Sequence, residues 1–325
     1  MIRTLRTVRL KSGERLRVAA ITAPAGRYAR AIRRFLDHKG EPWLTHVERA
    51  NRDDVDDLRT IYYVGLLERR IVGNVMIVGD GRAGILGHVF TDPAQRRKGI
   101  CTHLMAAAVE DFRASGALAM SLGTGYDSPP YHIYAAFGFQ GVEPGNGHML
   151  FESQPGSLDR YFAPARTRVA EIRWEHWAGL SLLYMLPEAD VLRSHAYGVI
   201  GPVGFEGGFL RFQTMRERLD ARARVLVTAA GSVVGVALCQ RDEHWPGPVY
   251  TLDVFSHPRF ERRLAALLRA VPLPSGAKVQ AWIDRPSSAR SAALLAAGFH
   301  REAILKRQLH HGPGACDVLV FARAT

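Results

Sequence analysis

Residues 89–102, Val-Phe-Thr-Asp-Pro-Ala-Gln-Arg-Arg-Lys-Gly-Ile-Cys-Thr, combine the residue types needed to hold a phosphorylated ligand. An apolar strand pattern runs into Asp92-Pro93, then a basic loop with one glycine, then a helical pattern over 102–114. A helix start presents unpaired N–H groups and the positive end of the helix dipole. Together these suit a pyrophosphate. Gly99 lets the backbone approach a ligand with no Cβ in the way. Arg96, Arg97 and Lys98 add charge, and Thr102 adds a hydroxyl. Basic residues at a helix start oppose the dipole, so a plain surface turn needs another reason for them. On residue types alone, phosphate binding and a basic surface turn both stay open. His88 on the preceding strand is a second candidate, weighed against an ordinary core or groove histidine. Tyr126, Tyr131, His132 and Tyr134 form a third group further on.

These residues need elements to place them. Strand patterns fall at 16–21, 60–68, 71–78 and 84–91, the last three joined by short polar turns as an antiparallel meander. Helical spacing appears at 28–36 and 43–49. After the basic loop come the helix at 102–114, a strand at 117–122, a proline-led short helix at 128–137 and a strand at 148–152. Residues 153–164 have linker composition. The second half repeats this order: strand 168–172, helix 174–190, a Gly-rich stretch at 197–208, hairpin 224–240, strand 249–255, helix 257–270, strand 278–283 and helix 287–297. Three anchors pair the halves: Ile71-Val72-Gly73 with Val233-Val234-Gly235, Asp92-Pro93 with His257-Pro258, and residues 134–139 with 294–299. The expectation is a tandem duplication of one α/β domain, with domains at 1–155 and 165–325.

The chain has 325 residues, 47% hydrophobic and 23% charged, which fits two globular domains. No apolar run reaches the ~18 residues of a membrane span. The charged stretch from Met1 to Arg6 has no apolar segment behind it, so a secretory signal is not expected and a cytoplasmic protein is. The formal net charge of +12 is spread along the chain rather than gathered in a stripe. A nucleic-acid binder more often shows a stripe or a known motif, and a phosphorylated cofactor or an anionic substrate can use the same charge, so the charge is compatible with both readings and decides neither; nucleic acid is not the expected partner. Cys101, Cys239 and Cys316 are isolated, so reduced buried thiols are expected, with neither a metal nor a disulfide.

Arg96-x-x-Gly99-x-Cys101 resembles the Q/R-x-x-G-x-G/A loop of the GCN5-related N-acetyltransferase (GNAT) family. The resemblance extends to Tyr134-Ala-Ala-Phe-Gly-Phe139, similar to the family's later helix. It implies an α/β chain of two tandem GNAT-like domains, each a mixed, mostly antiparallel sheet flanked by helices. It implies that the amides and side chains of Arg96, Arg97, Lys98, Gly99, Ile100, Cys101 and Thr102 hold the pyrophosphate of acetyl-CoA. It further implies that the strand ending at Phe90 and Thr91 pairs with the pantetheine arm, and that Tyr134 protonates the departing thiolate. Cys101 stands where glycine or alanine is usual, and Asp127 where asparagine is usual beside the CoA arm. His88 lies on the strand where some members keep a glutamate base.

The chemistry implied is direct acyl transfer from acetyl-CoA to an amine of a small molecule or peptide. A base with a pKa near neutrality serves, and histidine fits without perturbation. A strand amide near His88–Val89 suits the thioester oxygen. In the second half the loop has no glycine and Leu294 replaces the tyrosine, so the fold is expected there without the cofactor site. The alternatives are a non-catalytic acyl-CoA sensor or partner-binding protein, and an aminoacyl-tRNA-dependent transferase. Monomer and homodimer are both compatible.

Overall fold

The computed structural model describes residues 2–284, 287–312 and 314–325; Met1, which opens the charged N-terminal stretch, falls outside them. The chain divides into two compact units, one of Met1–Tyr161 with Arg173–Gly179, the other of Phe162–Ile172 with Leu180–Thr325.

The first unit contains strands β1 (Ile2–Arg9), β2 (Arg15–Thr22), β3 (Arg59–Leu67), β4 (Arg70–Gly79), β5 (Ala83–Thr91), β6 (Ala119–Gly123), β7 (Gln140–Gly141) and β8 (His148–Glu152). Its helices are α1 (Ala29–Phe35), α2 (Trp43–Asn51), α3 (Ile100–Ala114), α4 (Pro129–Ala136) and α5 (Ser157–Tyr161). The sheet order is β1-β2-β3-β4-β5-β6-β8-β7. Every neighbouring pair is antiparallel except β5 and β6. β4 is central and buried almost throughout, as its near-continuous apolar run requires. Asn74, in the middle of that run, is the polar exception.

One face of the sheet packs on α3. Ile100, Leu104, Met105 and Ala108 meet Val18, Tyr63, Val75 and Leu86 in a single core. Two glycines set how closely α3 lies. A Cβ on Gly73 would come within 2.8 Å of Ile100 and 2.9 Å of Leu104, and one on Gly65 within 3.1 Å of Leu16 and 3.3 Å of Ile100. On the opposite face, buried His46 of α2 shares a hydrogen bond of 3.0 Å with Thr60 Oγ1.

The second unit contains β9 (Thr167–Glu171), β10 (Leu192–Ser194), β11 (Val199–Ile200), β12 (Arg222–Thr228), β13 (Val233–Arg241), β14 (Val249–Ser256), β15 (Lys278–Asp284), β16 (His300–His311) and β17 (Gly314–Ala324). Helices α6 (Trp177–Tyr184), α7 (Glu206–Met215), α8 (Leu264–Arg269) and α9 (Ser288–Ala296) follow the same half of the sequence. The sheet order is β16-β17-β15-β14-β13-β12-β9, and again one pair alone among its neighbours, β14 and β15, is parallel. Read from β9, this order and its directions match those of the first sheet read from β2. Both are mixed, mostly antiparallel sheets flanked by helices, the α/β class expected.

Several boundaries differ from the sequence reading. The helix expected over 174–190 is a short 3-10 turn followed by α6, which stops at Tyr184, three residues before Pro187. β1, α7 and the long hairpin of β16 and β17 are not among the elements read from the sequence: charged residues interrupt the apolar positions of β1 and β16, and α7 has two glycines in its first turn. The stretch 153–164 holds α5, whose Ser157 and Tyr161 are buried.

Candidate active site

The site is built around β5. Its pairing with β6 covers Ala83–Ile85 against Ala119–Ser121 and then stops. β5 continues to Thr91, so its last six residues have no strand on that side among the described residues. The result is a wedge that opens along β5 toward the basic loop.

β5 also carries a bulge. Asn74 pairs with Phe90, but Met76 pairs with Gly87, which leaves His88 and Val89 opposite Val75 alone. His88 adopts φ +49°, a left-handed conformation uncommon for a non-glycine residue. The extra residue shifts the alternation of side chains along the strand. Leu86 and Val89 both pack toward the α3 core. His88 and Phe90 turn the other way: His88 lies edge-on to Trp43 of α2, with ring centres 6.1 Å apart, and Phe90 meets Phe35 of α1 at 5.2 Å and His38 at 3.9 Å. Buried Asn74 fixes the bulge, its Nδ2 donating to the His88 carbonyl at 2.9 Å. Asn74 was not singled out in the sequence, although a lone amide inside an apolar strand was the available signal.

The loop then turns into α3. Asp92 accepts from the Ala94 amide at 3.0 Å and starts a 3-10 turn. Arg97 has φ +64° and Gly99 φ +89°. Gly99 is the N-cap of α3, and it supplies no side-chain acceptor for the first-turn amides. No acidic residue lies in that turn, and nothing sits within 4 Å of where a Gly99 Cβ would be. The amides of Ile100, Cys101 and Thr102 therefore face open space with the helix dipole behind them. This fits a pyrophosphate, and the wedge beside it fits an extended arm.

The loop side chains differ in how free they are. Arg96 folds back, its Nε donating to the Thr91 carbonyl at 3.3 Å with its guanidinium 6.0 Å from the Phe90 ring centre. Arg97 and Thr102 are exposed. Lys98 is already engaged, donating to Glu14 Oε2 at 2.8 Å and Gln95 Oε1 at 2.7 Å. Asp127, at φ +53° before α4, is exposed and meets His132 Nε2 at 2.9 Å. Tyr126 is exposed too, 5.5 Å from the Tyr131 ring.

Tyr134 is buried on the α3 side of the sheet and faces Cys101. Burial, with Cys101 beside it, pushes its phenol well above the usual tyrosine range. It holds its proton at neutral pH, and its hydroxyl makes no hydrogen bond among the described residues. His88 differs from the sequence expectation of an unperturbed imidazole. Burial first, then the charges of Lys39 and His38, push it down to about 4. It is neutral at pH 7, and its Nε2 is buried with no hydrogen-bond partner among the described residues. His46, close enough to feel His88, is pushed down to about 3 by burial. His38 and His46 were not picked out in the sequence, because helical spacing does not show which face meets β5.

The second unit closes the same places. β13 and β14 pair without a shift, so β14 has no bulge. β10 packs against both β14 and β15, where the first sheet has its wedge. Buried Asp253 of β14 accepts from the amides of His195 at 2.8 Å and Ala196 at 3.1 Å, and Arg290 donates to the Leu192 carbonyl at 2.7 Å. The turn before α8 runs from His257 through a 3-10 segment with no glycine, and buried Leu294 is the counterpart of Tyr134.

The family model described as Acetyltransferase (GNAT) family matches residues 28–139. Among solved structures, the chain is similar to an N-acetyltransferase from Staphylococcus aureus Mu50 at 13% identity, covering 49% of this chain and 99% of that one, with a TM-score of 0.37. It is similar to a phosphinothricin acetyltransferase from Sinorhizobium meliloti in complex with acetyl-CoA at 16% identity, covering 48% and 87%, with a TM-score of 0.39. It is also similar to a spermidine N-acetyltransferase from Vibrio cholerae in complex with CoA and spermine at 11% identity, covering 48% and 94%, with a TM-score of 0.35. No curated protein matches the chain. Residues 28–139, the part of the chain that matches the acetyltransferase (GNAT) family model, hold the bulge, the wedge and the loop into α3.

Proposed function

We propose that the protein is an acetyl-CoA-dependent N-acyltransferase with one working site, in its first unit. The observation that carries this is the join of an uncapped α3 start at Gly99 to the open edge of β5. The amides of residues 99–102 and the side chains of Arg96, Arg97 and Thr102 would hold the pyrophosphate, with Lys98 contributing its backbone. Phe90 and Thr91 would border the arm, and Asp127 its far side. Bound acetyl-CoA supplies an activated acyl group. A new bond forms from the amine nitrogen to the acyl carbon, the carbon–sulfur bond breaks, and the proton lost by the amine is balanced by one gained at sulfur.

The two sides of the sheet divide this work. On the α1–α2 side, His88 is neutral and its Nε2 is enclosed, so once the acceptor displaces the side chains over it the nitrogen would accept a hydrogen bond from the amine N–H and orient the amine lone pair. Its low basicity means the amine must arrive unprotonated, so His88 positions more than it deprotonates. At the bulge, a backbone amide of His88–Val89 donates to the thioester oxygen. On the α3 side, Tyr134 Oη holds a proton for the leaving sulfur. The burial that raises the phenol also disfavours a bare thiolate, so the transfer is less uphill than the phenol alone implies.

A screen of small-molecule and peptide amines with acetyl-CoA, read by free thiol release, tests the reading. Amine-dependent release that is lost in Tyr134→Phe supports it. Tight acetyl-CoA binding with no release for any amine favours the sensor reading.

A further inference from the structure

A cleft of ≈ 740 Å³ lies beside Phe90, on the α1 side of the first sheet. Five arginines line it: Arg27 from the 3-10 turn before α1, Arg30 and Arg34 along α1, Arg69 from the turn between β3 and β4, and Arg70 at the start of β4. The first three recur at i, i+3 and i+7, one face of a helix. Asp92 is the carboxylate in the lining, and it is occupied with the Ala94 amide.

These arginines are not part of the general ion-pair network. Arg33, on the other side of α1, pairs with Asp37 at 2.5 Å and Glu48 at 2.8 Å. Arg49 pairs with Asp54, Arg3 with Asp111 and Arg6 with Glu110. Arg30, Arg34, Arg69 and Arg70 make no ion pair with any described residue. Like charges gathered round a concavity repel one another, and the potential they create draws anions. Guanidinium forks match carboxylate and phosphate oxygens two at a time. The cleft has the size of a small-molecule site. Phe90 and His88 leave β5 on the same face, so a ligand held here lies on the side from which an amine would reach His88.

We propose that this cleft seats an anionic group, a carboxylate or phosphate, carried by the amine acceptor. The proposal rests on the acyltransferase reading for its orientation, and the test separates the two. The same chemistry could also be met by the 3′-phosphate of CoA, which the test distinguishes.

The experiment compares the full-length protein with Arg30→Glu/Arg34→Glu and with a charge-matched control in the second unit, Arg262→Glu/Arg301→Glu. Phosphoethanolamine and ethanolamine are titrated calorimetrically into CoA-saturated protein. The expected result is binding of phosphoethanolamine at least tenfold tighter than ethanolamine, a preference lost in Arg30→Glu/Arg34→Glu and kept in the control. Equal binding of the two amines, or no binding of either, overturns the proposal whether or not any amine is acylated. A second titration uses acetyl-CoA and its 3′-dephospho form. Unchanged affinity of the cleft variant for both supports an acceptor site. A tenfold loss confined to the 3′-phosphorylated form assigns the cleft to CoA and overturns the proposal. Absence of thiol release with phosphoethanolamine preference intact counts against the acyltransferase reading and leaves the anion site standing.

Discussion

Tyr134 and His88 differ in what their surroundings allow. The Tyr134 ring packs 6.2 Å from Phe139 in the α3 core, but its hydroxyl is not tied to another group. Tyr134→Phe should therefore leave the melting temperature and the acetyl-CoA affinity nearly unchanged and lower kcat by roughly 10²-fold, the range for loss of a general acid. Unchanged kcat in a folded variant would remove Tyr134 from the mechanism. The buried histidines set a pH dependence of stability. His46 and His88 have folded pKa values of about 3 and about 4, below the ordinary 6.5. The unfolded chain takes up protons as pH falls through 6.5, while the folded protein refuses them. Stability should be full above that point and fall on acidification toward pH 4. Thermal melts across pH 4–8 check the sign, and His46→Gln should flatten the slope. A Tm that rises as pH drops from 6.5 to 4 would contradict these assignments. Residue types alone made the tyrosine and the loop glycine legible. They could not show that His88 is desolvated, because that depends on which helices cover β5.

At the scale of elements, the site is a junction of β4, β5 and α3. Gly73 lets α3 approach the sheet, and Asn74, next to it, holds the bulge carbonyl. Gly73→Val would drive a side chain into Ile100 and Leu104, at a cost of about 1–3 kcal/mol for overpacking. Because the displaced element carries the Gly99 cap, acetyl-CoA affinity should fall about tenfold as well, measurable by calorimetry at a temperature where the variant stays folded. Retained affinity would mean that the loop is placed independently of this contact. The strands β3–β5 and the loop-to-α3 turn were readable from apolar runs broken by short polar turns. The bulge was not, since 86–91 shows no local feature that fixes a pairing register, which depends on β4. The helix expected at 174–190 failed because an apolar run continues past the point where Pro187 stops helical geometry.

Over the whole molecule, two sheets of the same order differ at the places that would hold a ligand. In the first, the wedge is open and α3 begins at an uncapped glycine. In the second, β10 packs where the wedge would be, with Arg290 on the Leu192 carbonyl and Asp253 on the amides of His195 and Ala196 just after it. The paired anchors in the sequence foreshadowed the shared order and the missing glycine. They did not reveal the plug, because residues 190–197 have no counterpart in the first half to compare with. We propose that each chain holds acetyl-CoA at one site, the start of α3. Calorimetric titration of acetyl-CoA into the wild type and Gly99→Glu tests it most directly. Gly99 has φ +89° and faces open space, so glutamate there brings backbone strain and a negative charge to the phosphate position. The expected result is about one site per chain in the wild type and an affinity more than tenfold weaker in a folded Gly99→Glu. Two equivalent sites, or an unchanged affinity in the variant, would contradict a single acetyl-CoA site at this helix start.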